Sequence, residues 1–383
     1  MRLGIIICGM NTGFLSHLRP VLERAVEAGE YPGVQELVLD HGRVVFHAAI
    51  GMADVERGVP VARDTIYRMF SSSKTVTGVA AAMCVERGLF SLLDPVCEYL
   101  PGFKDVVVGP NREPVQRPVR VIDILSMTSG LDYSFDWSKE KKPLSTVEFA
   151  NRLGREPLLF QPGDHWNYGY SADVAGALVE VVSGKSFGQF LKDELFDPLG
   201  MKDTGFVVPS AKRHRLAQAY EGGPDGRGNF VNKLAPHHLG LRDYKEDTMF
   251  ESGGAGLVST VDDWAQFTRM LMAGGTLAGH RYLSPAGFKL IHTSLLTPEQ
   301  ARTFVWDDCT GHGYGFFYHV KRAGVSHSDM TSPGTFAWGG WLGTMSFVDP
   351  VLNCGSVFLV QKTSSASLSS RVRNIVCAAA SIQ

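Results

Sequence analysis

Strand-like and helix-like segments are unevenly distributed along this chain, and their order limits the folds that it can form. Two β-branched runs, residues 36–40 and 44–51, flank the turn Asp40-His41-Gly42-Arg43 and predict a β-hairpin near the start. After residue 255, further strand-like runs follow one another with short connections, which favours antiparallel pairing. These runs are Gly315–Lys321, Thr335–Trp338, Gly343–Val348 and Ser356–Gln361.

The middle of the chain has a different pattern, because strand signals fade between residues 76 and 250. Apolar residues recur there at the spacing of helices that bury one face. The predicted helices of this part are 121–127, 174–182 and 187–196.

Strands at both ends with helices between them indicate one lobe assembled from both termini. We expect an α/β (α+β) fold in which residues 1–75 and 255–383 form an antiparallel sheet, flanked by terminal helices at 14–28 and 368–380. Residues 76–254 would form an inserted, mainly helical lobe. The functional site is expected in the cleft between the lobes, since clefts concentrate ligand-binding side chains.

The composition excludes several classes of function. Of the 383 residues, 44% are hydrophobic and 20% are charged, and the formal net charge is −2. No basic run is long enough to hold nucleic acid, and no apolar segment is long enough to cross a bilayer. Leu3–Cys8 is too short for the apolar core of a signal peptide. We expect a cytoplasmic protein that acts on a small molecule, with no nucleic-acid partner and no membrane span.

The cysteines and histidines show no metal-binding pattern. The six cysteines are scattered without a C-x-x-C pair, and the twelve histidines include no H-x-x-x-H or H-E-x-x-H spacing. The chain also has no Walker loop and no strand-linked G-x-G-x-x-G segment. We therefore expect no metal and no cofactor, and scattered cysteines fit a reducing compartment.

The run Phe70-Ser71-Ser72-Ser73-Lys74 precedes small and apolar residues at helical spacing, so it predicts the first turns of a buried helix. Residues three apart share one face of a helix, so Ser71 and Lys74 point the same way. Free N–H groups at a helix start favour developing negative charge. This is the S-x-x-K arrangement of serine acyl-enzymes, with Ser71 as nucleophile and Lys74 as the amine that helps to deprotonate it.

The alternative interpretation of this run is a surface helix cap, because serine-rich helix starts followed by a lysine are common. The long apolar helix that follows favours the catalytic interpretation, since it would draw Lys74 against the core. A desolvated lysine has a lowered pKa and can act as a base near neutral pH.

A second candidate element is the segment Gln161–Ser171, where a proline–glycine turn precedes Tyr168 and a new helix. A tyrosine beside Ser71 and Lys74 could act as a general base through a phenolate that the ammonium keeps ionised. The alternative is that Tyr168 only packs in a loop, and Tyr170 competes with it for any role.

A third element is the segment Gly334–Thr344, which places Gly339 and Gly340 inside a strand pattern. Glycines in a strand usually mark the close approach of another backbone or of a ligand. Acyl transfer needs such a bare strand edge, with an N–H aimed at the oxyanion. The alternative is a β-bulge or a hairpin turn.

In this order, the three elements resemble the serine β-lactamase/penicillin-binding-protein superfamily. The likeness is greatest to its class C-like branch, which includes the family VIII carboxylesterases and the fungal statin-side-chain acyltransferases. It extends over nearly the whole chain and implies a β-lactamase/transpeptidase-like fold. Further segments that look like motifs of this branch are Leu125–Leu131, Glu180–Lys185, Pro198–Thr204 and Gly253–Thr260.

The resemblance also implies roles for individual residues. Ser71 would be acylated, Lys74 would assist, and Tyr168 would shuttle the proton. The oxyanion hole would be the backbone N–H groups of Ser71 and Trp341. The substrate-binding residues would be Tyr170, Trp338, Gly339 and Gly340, with Trp338-Gly339-Gly340 in place of the K-T-G strand.

Two departures from the β-lactamase pattern favour an esterase or transacylase. Tyr168-Gly169-Tyr170 stands where class C β-lactamases have Y-S-N or Y-A-N, and Trp338 replaces a lysine or histidine that would pair with a carboxylate. We therefore expect a serine hydrolase that hydrolyses or transfers acyl groups from esters or amides. The alternatives are a class C-type β-lactamase or D-alanyl-D-alanine carboxypeptidase, and a catalytically degenerate penicillin-binding or sensor-like protein.

Gly184-Lys185-Ser186-Phe187-Gly188 fits the G-x-S-x-G pattern of a nucleophile elbow, which requires a strand before the serine. A helix is predicted before Ser186, and Gln189 follows three residues later. We therefore interpret Ser186 as a capping-box residue that opens the next helix.

Overall fold

A computed structural model describes residues 9–223, 229–230, 233–234, 239–305, 309, 311–324, 329–363 and 367–382. The prediction for Leu3–Cys8 lies outside these residues. Within them, no helix combines the length and the apolar character that a membrane crossing requires.

One large antiparallel sheet organises the fold. Its eight strands follow the order β10-β11-β12-β13-β14-β1-β2-β3, so strands from both ends of the chain lie side by side at its centre, where β1 pairs with β14. Three two-stranded sheets pair β4 with β7, β5 with β6 and β8 with β9. The strands are β1 (Gly33–Asp40), β2 (Arg43–Asp54), β3 (Val59–Pro60), β4 (Tyr67–Arg68), β5 (Val107–Val108), β6 (Glu113–Pro114), β7 (Val258–Ser259), β8 (Thr276–Leu277), β9 (His280–Arg281), β10 (His312–Gly315), β11 (Tyr318–Lys321), β12 (Phe336–Gly339), β13 (Met345–Asp349) and β14 (Cys354–Leu359).

Helices cover both faces of this sheet, and most of the α-helices lie between β4 and β10 in the chain. The α-helices are α1 (Thr12–Leu15), α2 (Leu18–Glu27), α3 (Ser73–Glu86), α4 (Val121–Leu125), α5 (Thr146–Leu153), α6 (Ser171–Ser183), α7 (Phe187–Leu191), α8 (Asp197–Leu199), α9 (Val261–Met272), α10 (Pro285–Ile291), α11 (Pro298–Ala301) and α12 (Ser367–Ser381). Short 3-10 turns include Phe70–Ser72 and Trp137–Lys139, and a π-helical turn spans Lys192–Phe196.

Strand β1 is buried along its whole length because helices pack on both of its faces. Leu37 and Leu39 point to the face covered by α9, where Trp264 is fully buried. Val34 and Val38 point to the other face, which α2 and α12 cover. An antiparallel sheet between terminal helices and an inner helical layer confirms the predicted fold class. The division into two lobes stays a prediction.

The predicted strand Gly315–Lys321 is wrong in one respect, because a tight turn divides it into β10 and β11. Phe316 and Phe317 have φ values of 47° and 67°, an uncommon conformation for side chains of this size. Both rings are fully buried, which offsets the backbone strain. The backbone of the turn lies against α3 at Gly78. A glycine is needed there, since a Cβ would lie 2.1 Å from the carbonyl oxygen of Phe316.

The predicted helix 14–28 is also interrupted, since α1 ends at Leu15 and α2 begins at Leu18. The Ser16 hydroxyl donates to the carbonyl of Gly13 and competes with the helical hydrogen-bond pattern. The helix predicted after Lys74 is present as α3, and its residues Ser73–Cys84 are buried on every side. Helix α3 therefore forms the rigid support on which the candidate site is built.

Candidate active site

Ser71 lies in the short 3-10 turn Phe70–Ser72 that joins β4 to α3. Phe70, directly before it, has a φ of 43°, a strained value for an aromatic residue. The Phe70 ring is buried and meets Trp341 edge to face at a centroid distance of 5.3 Å. This packing holds the sharp turn that presents Ser71, and the sequence pattern gave no signal of it.

The three consecutive serines, Ser71, Ser72 and Ser73, have different surroundings. The Ser72 hydroxyl lies 2.9 Å from the Thr344 hydroxyl, and the Ser73 hydroxyl accepts a hydrogen bond from the backbone N–H of Leu257 at 3.0 Å. Both residues are buried, whereas Ser71 is partly accessible. Ser72 and Ser73 thus fix the turn in place, and Ser71 is the hydroxyl that a substrate can reach.

Lys74 is fully buried, and its ammonium group contacts three oxygen atoms. Nζ lies 3.2 Å from Ser71 Oγ, 3.1 Å from the hydroxyl of Tyr133 and 2.7 Å from the carbonyl oxygen of Gly254. These oxygens satisfy the three N–H donors of an ammonium. A neutral amine at the same place could donate to two of them and accept the Ser71 proton, so the arrangement suits Lys74 in both protonation states.

Tyr133 is a site residue that the sequence analysis missed. Its hydroxyl bonds to Lys74, 59 residues earlier in the chain. Burial among aromatic rings, with a smaller contribution from Tyr168, raises the pKa of Tyr133 well above its usual value. Burial therefore favours the neutral phenol form of Tyr133. Its place directly after the Leu125–Leu131 motif and Asp132 was the signal available in the sequence.

Tyr168 lies beside Tyr133 and close to Lys74, whose Nζ is 4.7 Å from the centroid of the Tyr168 ring. The Tyr168 hydroxyl accepts a hydrogen bond from Nε1 of Trp338 at 3.3 Å. Its ring is stacked on Trp166 at 6.0 Å and meets Tyr133 edge to face at 5.6 Å. The structure thus brings Ser71, Lys74 and Tyr168 together, and the proton-shuttling role of Tyr168 stays a prediction.

Tyr170 occupies a different position from the one expected of a substrate-binding residue. It is only 1% exposed, and its hydroxyl accepts a hydrogen bond from Nε1 of Trp137 at 2.8 Å. Its ring packs edge to face on Tyr133 at 4.6 Å. Burial in the structure leaves Tyr170 as support behind Tyr133, without accessible surface for a substrate.

The segment Gly334–Thr344 forms a hairpin turn and also comes close to another part of the backbone. Each of the two interpretations therefore describes part of it. β12 ends at Gly339, and the chain turns through Gly340 before β13. A Cβ on Gly340 would lie 2.2 Å from the carbonyl oxygen of Met69. The Thr344 hydroxyl donates to that carbonyl at 3.1 Å and ties the hairpin to the Ser71 turn. The hairpin that carries Trp341 is thereby held beside the nucleophile turn, and the oxyanion hole formed by Ser71 and Trp341 stays a prediction.

Ser186 is a helix cap. Its hydroxyl accepts a hydrogen bond from the backbone N–H of Gln189 at 3.2 Å, and Gly184 before it ends α6 with a φ of 69°. The reciprocal contact of a capping box is not among the bonds of Gln189, whose side chain donates to Asp193. Across the part of the chain that the structure describes, no three histidine, cysteine or acidic side chains converge as metal ligands.

Comparison with known proteins agrees with the fold. A family model described as Beta-lactamase matches residues 18–380, so the chain belongs to the Beta-lactamase family. This confirms the resemblance to the serine β-lactamase/penicillin-binding-protein superfamily.

Individual relatives extend over most of the chain. An uncharacterized protein of Mycobacterium tuberculosis is 31% identical and covers 89% of this chain and 88% of its own. Esterase EstB of Burkholderia gladioli is 29% identical over 92% of both chains, and lovastatin esterase of Penicillium rubens is 31% identical over 73% of both. The solved structure of EstCE1, described as a hydrolase with promiscuous acyltransferase activity, has a TM-score of 0.80 at 26% identity and covers 96% of this chain and 99% of its own.

Proposed function

We propose that this protein is a serine hydrolase that cleaves neutral esters, or transfers their acyl groups, through an acyl-enzyme on Ser71. The observation that carries the proposal is the contact between the partly accessible Ser71 hydroxyl and the fully buried Lys74 amine. A buried amine beside a serine is one of the arrangements that activate a hydroxyl nucleophile.

The geometry supports a reaction in two halves. Ser71 Oγ attacks the ester carbonyl carbon while its proton passes to Lys74 Nζ, 3.2 Å away. The oxyanion is held by the N–H groups of Ser71 and Trp341. When the intermediate collapses, the alcohol leaves with the proton, which Lys74 supplies directly or through Tyr168. Water then attacks the acyl-enzyme by the reverse path, and a second alcohol in place of water gives acyl transfer.

The side chain at the former cation position supports a neutral substrate. Trp338 is 3% exposed, and its N–H group donates to the hydroxyl of Tyr168. An indole at this position supplies no positive charge to pair with a substrate carboxylate, so the site favours uncharged acyl groups. Similarity to the esterases of Burkholderia gladioli and Penicillium rubens supports the same substrate class.

The test combines covalent labelling with a substrate panel. A fluorophosphonate should phosphonylate Ser71 with loss of fluoride, and the labelled peptide identifies the serine by mass spectrometry. The Ser71→Ala variant should take up no label, whereas Ser186→Ala, which changes the decoy serine, should be labelled as fast as the wild type.

The panel compares p-nitrophenyl acetate and butyrate with a chromogenic cephalosporin. We expect ester hydrolysis to be faster by at least about 100-fold in kcat/KM, a difference that corresponds to loss of one good charge pairing. Faster turnover of the cephalosporin would instead identify a β-lactamase, and label that persists without turnover of any substrate would identify a sensor.

A further inference from the structure

A buried carboxylate close to the site has no part in the mechanism above. Asp173 lies in the first turn of α6 and is only 2% exposed. Carboxylates are rarely buried to this extent without a charged partner or a full set of hydrogen bonds. The contacts of Asp173 lead to Lys74.

One residue, Gly254, connects the two side chains. Oδ1 of Asp173 accepts hydrogen bonds from the Ser252 hydroxyl and, at 3.2 Å, from the backbone N–H of Gly254. The carbonyl of Gly254 in turn accepts from Lys74 Nζ at 2.7 Å. Only glycine fits at position 254, because a Cβ there would lie 2.5 Å from Oδ2 of Asp173.

The two charges also interact directly through space. Burial raises the pKa of Asp173, and the positive charge of Lys74 opposes that rise. Phenols also face this pair, and of these Tyr133 contacts Lys74 and feels the charge of Asp173. Tyr168 faces Lys74 with its ring. Tyr170 packs against Tyr133, and both Tyr170 and Tyr314 are buried.

We propose that Asp173 is a positioning residue that holds the Gly254 carbonyl against Lys74 and supplies the buried negative charge that balances the ammonium. This charge is needed when Lys74 takes the proton of Ser71, because a new positive charge is costly in a buried place without a counter-charge. The inference rests on the proposed function, since it assigns a role within the same site.

Asp173→Asn keeps the shape of the side chain and removes its charge, so the ammonium form of Lys74 becomes less favourable. The acid limb of the kcat/KM profile for p-nitrophenyl butyrate should then move to lower pH by about one unit. The plateau at higher pH should fall about tenfold, because the amine has become a weaker base. If the role of Asp173 were purely structural, the variant would have lower activity at every pH, and the pH of the acid limb of the kcat/KM profile would not change.

Asp263→Asn is the matched control. Asp263 also lies in the first turn of a helix, α9, and burial raises its pKa as well. Its carboxylate accepts from the backbone of Asp203 at 2.7 Å and from the hydroxyl of Thr204 at 2.9 Å, with no bond to Lys74. This variant should unfold at lower urea concentration than the wild type and keep the wild-type pH profile.

The deciding experiment does not need activity. Urea unfolding is measured for the wild type, Asp173→Asn, Lys74→Met and the double variant. We expect Asp173→Asn to lower the urea midpoint strongly in the wild-type background, where it leaves Lys74 uncompensated, and much less in the Lys74→Met background. An Asp173→Asn chain that folds only together with Lys74→Met also supports the inference.

Equal losses in both backgrounds, or failure to fold in both, would overturn the proposal. A wild-type protein that takes up no fluorophosphonate and hydrolyses no ester would instead contradict the proposed function. The urea measurements still decide in that case whether Asp173 balances Lys74.

Discussion

Lys74 and Lys321 are both buried, but they have very different partners. Lys321 is 4% exposed, and its Nζ forms a direct ion pair with Asp329 at 2.8 Å. Arg373 of α12 contacts the same carboxylate at 3.2 Å. Lys74 bonds instead to the hydroxyls of Ser71 and Tyr133 and to the carbonyl of Gly254. The carboxylate of Asp173 is linked to Lys74 through Gly254, whose backbone N–H donates to it.

If Lys74 has the proposed role, the same side chain serves stability at one place in the fold and chemistry at another. Removing one partner of a direct, buried ion pair leaves the other charge uncompensated, so the pair at Lys321 holds the fold together. Neutral oxygen partners and a carboxylate one residue away satisfy the ammonium without fixing it. The first arrangement ties α12 to the sheet, and the second keeps the Lys74 ammonium in contact with the Ser71 hydroxyl.

The largest expected effect is on catalysis at Lys74. Lys74→Met should lower kcat/KM for p-nitrophenyl butyrate by about 10³-fold, because the proton acceptor for Ser71 is lost. Lys321→Met should keep the esterase activity of its folded fraction within about twofold and lower the urea midpoint. Activity lost equally in the two variants would break the comparison.

The next effect is on stability at the ion pair. Asp329→Asn should lower the free energy of unfolding by about 3–5 kcal/mol, because it leaves Lys321 and Arg373 buried without their counter-charge. Asp262→Asn is the control, since Asp262 pairs with Arg63 at an exposed position and should contribute less than about 1 kcal/mol. Urea unfolding monitored by circular dichroism measures both, and a similar loss in the two variants would contradict this account.

The ion pair should also give the protein a particular pH dependence. Burial alone would raise the pKa of Asp329, but Arg373 and Lys321 together hold it well below its usual value. Its stabilising contribution is therefore complete above the pKa of about 4 that an unfolded aspartate has, and is lost as the pH falls further. The stability gap between wild type and Asp329→Asn should be constant above about pH 5 and narrow below about pH 4. A gap that widens on acidification would show that the ion pair is not its source.

The smallest expected effect is at a neutral partner of Lys74. Tyr133→Phe removes one of its three oxygen contacts and should lower kcat about tenfold, because the amine is less well oriented toward Ser71. Tyr99→Phe is the control, since the Tyr99 hydroxyl bonds to Asp94 away from the site. If both variants keep full activity, Tyr133 is only a packing residue.

The sequence predicted the elements of the fold better than their connections to the site. Hydrophobic periodicity identified α3 and the late strands, since periodic patterns are local. It predicted one strand where Phe316 and Phe317 turn, because the close approach of the Phe316 backbone to Gly78 of α3 is a long-range contact. The spacing of Ser71 and Lys74 was readable because one helical turn joins them.

The positions of Tyr133 and Asp173 beside Lys74 could not be predicted in the same way. Each reaches Lys74 from a distant part of the chain, and Asp173 does so through the backbone of Gly254. Contacts that pass through the backbone cannot be predicted from the pattern of side chains. The one trace in the sequence is a glycine, and the structure is needed to explain why a glycine is there. Tyr170 was expected at the substrate because it is the last residue of the second motif, whereas packing against Tyr133 buries it.

The central claim is that Ser71 carries the acyl group during turnover. The most direct test is rapid acid quenching of the wild type during hydrolysis of p-nitrophenyl butyrate, followed by intact-mass and peptide analysis. We predict a butyryl adduct on Ser71 that forms within the first turnover and disappears when the ester is exhausted. Sustained hydrolysis with no adduct, or with the acyl group on another residue, would contradict the account.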